Sequence, residues 1–267
     1  MSYEILVLDI DGTLTNSEKN ITEKTKEALF ALQEKGKKVV LASGRPTPGI
    51  MPIAEQIRLK EYGGYILAYN GAKVVNAQTG EIIYQKALPA ESIAKIYDAS
   101  KEYKTGLLSY DKEGIITPEE PDQYIQIEGK INKLSIKKVD NFVAYINYPV
   151  NKCLMTEEGT YLAEVEEKMK ERFGDSLNIY RSEPFFLEIM PQSIDKAYSL
   201  GKLLEYLGMT KEQMICCGDG YNDLSMIQYA GLGVAMANAN DQVRAAADYI
   251  TLSNDEDGVA HVIEKFM

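Results

Sequence analysis

Short apolar runs alternate with amphipathic stretches along the first third of the chain. Strands are predicted at 3–9, 39–42 and 65–68, and a helix at 22–35, where apolar residues recur at helical spacing. Strands that are almost uniformly apolar, joined by helices, are typical of a parallel sheet covered on both faces. The pattern therefore predicts an α/β fold for this part of the chain.

The middle of the chain follows a different pattern. Segments 73–76 and 81–84 flank a turn and are predicted to pair as a hairpin. Residues 89–183 are more polar and richer in lysine, glutamate and tyrosine, with helices predicted at 91–103 and 159–172. These features indicate a separate α+β domain.

The last third returns to alternating strands and helices. A strand at 185–189 precedes a helix at 197–207, and a strand at 214–217 precedes a helix that begins at Asn222. Further strands are predicted at 233–236 and 249–251.

Both ends of the chain therefore predict one Rossmann-like parallel sheet core, formed by residues 1–84 and 188–267. Residues 85–187 are predicted to form an α+β domain inserted into it.

The acidic composition excludes several classes of partner. The 267 residues carry a net charge of −11, whereas nucleic acid and anionic membranes require a basic surface. No apolar run is long enough to span a bilayer, and the N-terminus lacks the segments of a signal peptide. Three cysteines, two of them adjacent, do not form a disulfide framework. We expect a cytoplasmic protein that binds a small molecule, and neither nucleic acid nor a membrane.

The remaining composition narrows the chemistry to carboxylates. His261 is the single histidine, so no site with several histidines is possible. The sequence has no Cys-x5-Arg spacing of thiol phosphatases and no Gly-x4-Gly-Lys-Ser/Thr loop. Any catalysis must therefore depend on aspartates and glutamates.

Polar residues follow several predicted strands at the point where each strand ends or the next helix begins. Each motif alone also fits a turn, a helix cap or a solvated lysine. Because ligands bind beyond the carboxyl ends of parallel strands, these residues would converge on one crevice. Together they favour a magnesium site and phosphate chemistry. The residues are Asp9, Asp11, Ser43, Lys196, Asp219 and Asp223.

This set of motifs resembles those of the haloacid dehalogenase superfamily of phosphotransferases over essentially the whole chain. The matching segments are Asp9-Ile10-Asp11-Gly12-Thr13, Ser43-Gly44-Arg45, Lys196 and Gly218-Asp219-Gly220-x-Asn222-Asp223. The segment Asn70-Gly71-Ala72 and the tail that contains Asn238 and Asp257 are similar to the Cof-type hydrolases within that superfamily.

The resemblance also covers the inserted domain, which is similar to the cap of the type called C2B. One position departs from the pattern, because Ala197 stands where many members have glycine after the lysine. Alanine is a good helix former, so we expect little effect.

The resemblance implies a role for each acidic residue. Asp9 would attack phosphorus, and Asp11 would act as general acid and base. Mg²⁺ would be bound by Asp9, the backbone carbonyl of Asp11 and Asp219, with Asp223 and Asn222 holding that shell in place. A divalent cation suits the charges, because a carboxylate and a phosphate ~4 Å apart repel by about 4 kcal/mol at an effective dielectric of ~20.

The resemblance also implies a set of phosphate-binding residues. Ser43 and Lys196 would bind the transferring oxygens and stabilise their charge. Thr13 would orient Asp11 or bind phosphate, and Gly44 and Asn222 would line the same site. Arg45 would contact substrate or form a structural salt bridge.

The expected function is a Mg²⁺-dependent phosphatase of small phosphate monoesters, with sugar phosphates favoured and the cap choosing the leaving group. A phosphomutase would use the same aspartates but return the phosphoryl group to its substrate. A non-enzymatic phospho-switch similar to response-regulator receivers is the alternative from another class. The inserted domain and the order Asp-x-Asp-Gly-Thr argue against that switch.

Overall fold

The computed structural model describes residues 2–267. The strands, in chain order, are β1 (Ile5–Leu8), β2 (Lys38–Ala42), β3 (Tyr65–Ala68), β4 (Lys73–Asn76), β5 (Ile82–Gln85), β6 (Gly106–Tyr110), β7 (Gly114–Thr117), β8 (Ser135–Lys138), β9 (Cys153–Thr156), β10 (Leu177–Glu183), β11 (Phe186–Pro191), β12 (Met214–Gly218), β13 (Leu232–Ala235) and β14 (Tyr249–Ile250).

The α-helices lie between these strands and after the last one. They are α1 (Glu23–Glu34), α2 (Thr47–Gln56), α3 (Leu59–Tyr62), α4 (Ala90–Tyr103), α5 (Gln123–Asn132), α6 (Phe142–Tyr145), α7 (Gly159–Phe173), α8 (Lys196–Leu207), α9 (Leu224–Tyr229), α10 (Asp241–Ala246) and α11 (Gly258–Phe266).

The chain divides into two compact units. The first is Met1–Gln85 with Asp195–Met267, and the second is Lys86–Ile194. The sequence places the return to the first unit at residue 188, whereas the structure places it at Asp195. The difference arises because β11 pairs with β10 on one side and β9 on the other, and both belong to the second unit.

The first unit contains an eight-stranded sheet in the order β14-β13-β12-β1-β2-β3-β4-β5. The first six strands in this order, from β14 through β1 to β3, run parallel to their neighbours. β4 and β5 add an antiparallel hairpin at the edge next to β3. The predicted α/β fold with a parallel sheet is therefore confirmed. All four residues of β1 are fully buried, as expected for a central strand covered on both faces.

Local sequence determines where the helix that carries Lys196 begins and ends. The side chain of Asp195 accepts a hydrogen bond from the backbone N–H of Tyr198, which caps the start of α8. Gly208 ends the helix in the left-handed conformation with φ 65°. Lys196 consequently lies at the first helical position, at the end of α8 nearest the loop from β11.

The segment after β12 differs from the sequence prediction. The sequence predicts a helix from Asn222, but residues Tyr221–Asp223 form a 3₁₀ turn and α9 begins at Leu224. The Asp223 carboxylate accepts hydrogen bonds from the N–H groups of Asp219 and Gly220, at 3.0 and 2.9 Å. These bonds hold the chain in a tighter turn before the α-helix starts.

The second unit contains a six-stranded sheet in the order β10-β11-β9-β6-β7-β8. Alternate residues of β11, Leu187 and Ile189, join the apolar core of this unit. Glu188 between them forms a buried ion pair with Lys152, with Nζ and Oε1 3.3 Å apart. The unit is therefore an α+β domain with its own core.

Within residues 2–267, no helix combines the length and apolar character needed to cross a membrane. The three cysteines, Cys153, Cys216 and Cys217, are free and buried.

Candidate active site

The register of two central strands brings the two acidic segments to the same sheet edge. β1 and β12 run parallel, with Leu8 opposite Cys217. Asp9 follows Leu8, and its N–H donates to the carbonyl of Cys217 at 3.0 Å. Asp219 follows the last residue of β12. Both carboxylates consequently leave the carboxyl ends of neighbouring strands, as the sequence predicts.

Lys196 lies between two of these carboxylates. Its Nζ donates to Asp9 Oδ1 at 2.8 Å, to Asp223 Oδ1 at 2.6 Å and to the carbonyl of Ala42 at 3.0 Å. Lys196 is only 1% exposed, and an ammonium has three donors, so all of them are satisfied. The sequence assigns Lys196 to the transferring oxygens, whereas the structure directs all three donors to protein oxygens.

Burial and neighbouring charges both shift the pKa values of Lys196 and Asp9. Burial lowers the pKa of Lys196, but the charges of Asp9 and Asp223 outweigh that effect and hold it above its usual value. Burial raises the pKa of Asp9 well above the usual range, and the neighbouring charge of Asp223 adds to the rise. One buried cation thus fails to balance the carboxylates around it.

Asp219 completes the acidic group and is fixed by the loop after β1. Thr13 Oγ1 donates to Asp219 Oδ1 at 2.7 Å, so Thr13 orients Asp219 rather than Asp11. Gly12 has φ +89°, and a Cβ at that position would lie 2.3 Å from Asp219 Oδ2. Only glycine allows this approach. Burial raises the pKa of Asp219 to about 6, although the hydrogen bond from Thr13 acts against the rise.

These three aspartates fit a divalent cation. One carboxylate oxygen from each of Asp9, Asp219 and Asp223 lies within 4.8 Å of the others. Mg²⁺ prefers carboxylate and water oxygens, and the shared negative charge favours its binding. Both oxygens of Asp223 already accept bonds, from Lys196 and from backbone N–H groups. Asp9 and Asp219 are therefore the better ligands, with Asp223 holding the loop of Asp219.

Asp11 lies outside this acidic group and faces two cations. Arg45 donates from Nε to Oδ2 and from Nη2 to Oδ1, each at 2.7 Å, and Lys19 Nζ lies 3.0 Å from Oδ1. Burial raises the pKa of Asp11, but the hydrogen bonds and charges of Arg45 and Lys19 outweigh it and lower the pKa overall. Of the two roles that the sequence allows for Arg45, this structure shows the salt bridge.

The second motif forms the loop after β2. Ser43 is 3% exposed, and its Oγ accepts a hydrogen bond from the N–H of Arg45 at 3.2 Å. A Cβ at Gly44 would lie 3.1 Å from Asn70 Oδ1, so the bare glycine lets the Asn70 side chain approach this loop. Asn222 Nδ2 donates to the same Asn70 oxygen at 3.0 Å. The Asn222 amide nitrogen therefore bonds to protein here, although the sequence assigns Asn222 to phosphate.

Sequence reasoning did not identify three residues that hold the loop after β1. Lys19 contacts Asp11, Asn238 Nδ2 donates to the carbonyl of Gly12 at 2.8 Å, and Asn254 Nδ2 donates to the carbonyl of Thr15 at 2.9 Å. The only available signal was the resemblance of the tail around Asn238 to Cof-type hydrolases. Lys19 carried no signal, because one lysine in a polar loop is usually solvated.

Comparison with known proteins agrees with this geometry. The family profile of haloacid dehalogenase-like hydrolases matches residues 6–263. The crystal structure of a haloacid dehalogenase-like hydrolase from Bacteroides thetaiotaomicron is 48% identical, with a TM-score of 0.96 and full coverage of both chains. A HAD subclass IIB sugar phosphatase of known structure is 27% identical, with a TM-score of 0.79 and 98% of each chain covered.

A relative with a named substrate extends these matches. The 5-amino-6-(5-phospho-D-ribitylamino)uracil phosphatase YcsE of Bacillus subtilis is 29% identical, covering 100% of this chain and 97% of its own. The profile match spans both units of the chain, including the segment between the second and third motifs. The chain therefore belongs to the haloacid dehalogenase-like hydrolases, as its motifs predict, and is a phosphatase of that family.

Proposed function

We propose that the protein is a Mg²⁺-dependent phosphatase that hydrolyses small phosphate monoesters, sugar phosphates above all, through an aspartyl-phosphate intermediate. The observation that carries this proposal is the group formed by buried Asp9 and Lys196 and half-buried Asp219 near the carboxyl ends of β1 and β12. The buried ammonium of Lys196 holds the Asp9 carboxylate in place beside two further carboxylates. Asp9 can attack an anionic phosphate only if the negative charge of these carboxylates is offset.

The residues that would hold Mg²⁺ are Asp9, the backbone carbonyl of Asp11 and Asp219, with Asp223 fixing the loop of Asp219. When bound, the ion would supply positive charge that offsets the repulsion between the carboxylate nucleophile and the anionic phosphate. The excess of carboxylates over buried cations in this group supports the assignment.

Asp9 acts as the nucleophile in two steps. One Asp9 oxygen forms a bond to phosphorus while the bond between phosphorus and the leaving-group oxygen breaks. Water then attacks the aspartyl phosphate, releasing inorganic phosphate and restoring the Asp9 carboxylate. Lys196 holds Asp9 Oδ1 throughout, which leaves Oδ2 for the attack.

Asp11 moves the proton in both steps. It donates a proton to the leaving-group oxygen, and it then accepts one from the attacking water. Its present partners, Arg45 and Lys19, favour the charged carboxylate. Their hydrogen bonds to one Asp11 carboxylate oxygen must therefore break before that oxygen can hold a proton. Ser43 lies at the end of β2 and is assigned to the transferring phosphoryl oxygens.

The substrate class follows from the chemistry of the relatives. One acts on a phosphate carried by a ribityl chain, and another is a sugar phosphatase. Both names describe polyhydroxylated leaving groups. The core residues bind the phosphoryl group that all monoesters share, so we expect the second unit to contribute to the choice of leaving group.

The test is a phosphate-release screen over a panel of phosphorylated metabolites with Mg²⁺. We expect release from sugar and polyol phosphates and none from an Asp9→Asn variant. Asp98→Asn, an exposed position on α4, is the matched control and should keep full activity. A stable phosphoprotein without turnover would instead indicate a phospho-switch, and phosphoryl return to a substrate that needs a bisphosphate activator would indicate a mutase.

A further inference from the structure

The segment Tyr69–Gly71 has no part in the reaction proposed above, yet its backbone is strained. Tyr69, Asn70 and Gly71 have φ values of 53°, 53° and 103°, so three consecutive residues lie at positive φ. Glycine adopts this conformation freely and asparagine tolerates it, but a buried tyrosine rarely does. Strain of this kind persists where surrounding contacts over-determine the backbone, and it concentrates at functional sites.

The backbone of this turn holds the loop of the second motif. The N–H of Tyr69 donates to the carbonyl of Arg45, and the N–H of Asn70 donates to the carbonyl of Ser43, both at 3.0 Å. The strained conformation thus directs two consecutive amides at the loop that carries the phosphate-binding candidates.

The Asn70 side chain reaches the loop of the fourth motif. Its Oδ1 accepts a hydrogen bond from Asn222 Nδ2 at 3.0 Å, and Asn222 lies between Asp219 and Asp223 in the chain. A Cβ on Gly44 would lie 3.1 Å from Oδ1 and 3.2 Å from Nδ2 of Asn70. The carboxamide consequently lies between the Ser43 loop and the loop that carries Asp219.

The same turn contacts the start of α8. A Cβ at Gly71 would lie 2.7 Å from the carbonyl oxygen of Asp195, and the Gly71 carbonyl accepts a hydrogen bond from Ser199 Oγ at 2.5 Å. In the chain, Lys196 lies between Asp195, which caps α8, and Ser199 within that helix. One strained turn therefore contacts the elements that carry the second, third and fourth motifs.

We propose that Asn70 is a positioning residue whose carboxamide, held by the strained Tyr69–Gly71 turn, fixes the loop of Asp219 and Asn222 relative to the loop of Ser43. This inference rests on the proposed function, because the distance between those loops matters for in-line transfer. A misplacement of about 1 Å between reacting groups costs on the order of 100-fold in rate.

Two substitutions separate the carboxamide from the backbone conformation. Asn70→Gly removes the side chain but accepts positive φ without strain, so its melting temperature should fall less than that of Asn70→Ala. Asn70→Ala removes the side chain and keeps the strain, so its melting temperature should fall. Both variants should lose kcat by about tenfold, the loss expected when one hydrogen bond to a positioned active-site residue is removed.

The matched control is Lys104→Gly. Lys104 ends α4 at φ 51° and lies far along the chain from the four motifs. Glycine there should raise the melting temperature and leave kcat unchanged. The proposal would be overturned if the loss of kcat in Asn70→Gly and Asn70→Ala were proportional to the fall in melting temperature. It would also be overturned if Asn70→Gly kept the wild-type kcat.

Two further measurements test the route through Asn222. If Asn70 acts through Asn222, the double variant Asn70→Gly/Asn222→Ala should lose no more kcat than Asn222→Ala alone, whereas additive losses would contradict the inference. Mg²⁺ should raise the melting temperature of Asn70→Gly less than that of the wild type, and an equal rise would also contradict it.

The Mg²⁺ measurement needs no turnover. If the wild type releases phosphate from no metabolite or aryl phosphate, the proposed function fails, while the Mg²⁺ response of Asn70→Gly still reports whether Asn70 fixes the Asp219 loop.

Discussion

Arg45 binds Asp11 at two points, with Nε 2.7 Å from Oδ2 and Nη2 2.7 Å from Oδ1. The two residues are 34 positions apart and follow the neighbouring strands β2 and β1. Paired, planar hydrogen bonds of this kind are the strong form of an ion pair. The proposed acid and base of the reaction is therefore held in its charged form by a residue of the next motif.

Replacing Arg45 should change the pH dependence of turnover. Burial raises the pKa of Asp11, whereas Arg45 and Lys19 lower it, so Arg45→Ala leaves only Lys19 to oppose burial and the pKa rises. A general acid works only while protonated, so activity on an alkyl phosphate should persist to higher pH than in the wild type. The pH profile of kcat measures this shift, with Arg58→Ala as the control. If kcat falls at the same alkaline pH in Arg45→Ala as in the wild type, Arg45 does not determine the pKa of Asp11.

Asp11→Asn should reduce turnover by roughly 10²–10⁴-fold, because it removes a general acid and base. The loss should be larger for alkyl phosphates than for aryl phosphates, since a phenolate leaves without prior protonation. Comparing kcat for both substrates in wild type and variant makes the test. Equal losses would argue against proton transfer by Asp11.

Asp9→Asn should abolish turnover, with a loss on the order of a million-fold, as when a covalent nucleophile is removed. The amide keeps the shape of the side chain, and Lys196 keeps Asp223 as a charged partner, so the variant should remain folded. Turnover and circular dichroism are measured together, with Asp98→Asn as the control. Near-normal turnover in a folded Asp9→Asn protein would exclude the covalent route.

The sequence predicted the first unit well where local patterns decide the structure. The strand at 65–68 and the strand at 73–76 have the predicted bounds, because apolar runs there are bounded by glycines and polar residues. β11 shows the limit of such patterns. Its apolar run identifies a strand, but only its pairing with β10 and β9 decides which sheet it joins, and that pairing is not a local property.

The same limit applies to the site. The strand ends gave the positions of Asp9 and Asp219, because parallel strands place their carboxyl ends at one edge. The partners of Asp11 depend on how the loops fold back, and loop geometry leaves little trace in one sequence. Lys19 reaches Asp11 from a turn at φ 63°, a conformation that no periodicity predicts.

Asp219 links metal binding to pH. Its pKa of about 6 in the metal-free protein lies above the ordinary value of 3.8. Between pH 3.8 and about 6, the folded state therefore keeps a proton on Asp219 that the unfolded state has lost. Stability of the metal-free protein should therefore fall as pH rises through that window, and less so in Asp219→Asn. Mg²⁺ requires the charged carboxylate, so its affinity should weaken as pH falls below about 6.

The measurements for Asp219 are melting temperatures in EDTA and in Mg²⁺ across this pH range. Excess EDTA should also abolish turnover and added Mg²⁺ restore it. Full activity in EDTA would remove Mg²⁺ from the mechanism.

Asn238 offers a test of how the catalytic loop is held. Its Nδ2 donates to the carbonyl of Gly12 at 2.8 Å, and its Oδ1 accepts from the N–H of Asn254, which in turn donates from Nδ2 to Thr15. Gly12 and Thr15 enclose the part of the loop next to Asp11. Asn238→Ala should therefore lower kcat about fivefold, the equivalent of one typical hydrogen bond. The loss should be larger for alkyl than for aryl phosphates, because the loop positions the acid.

The control for Asn238 separates this role from a loss of stability. Asn238→Ala removes two exposed hydrogen bonds, which should lower the free energy of unfolding by about 1 kcal/mol. Asn141→Ala removes the side-chain cap of α6 in the second unit and should cost about as much. If the two variants lose equal stability but only Asn238→Ala loses kcat, the loop contact acts on catalysis. If both lose kcat alike, Asn238 contributes only to folding.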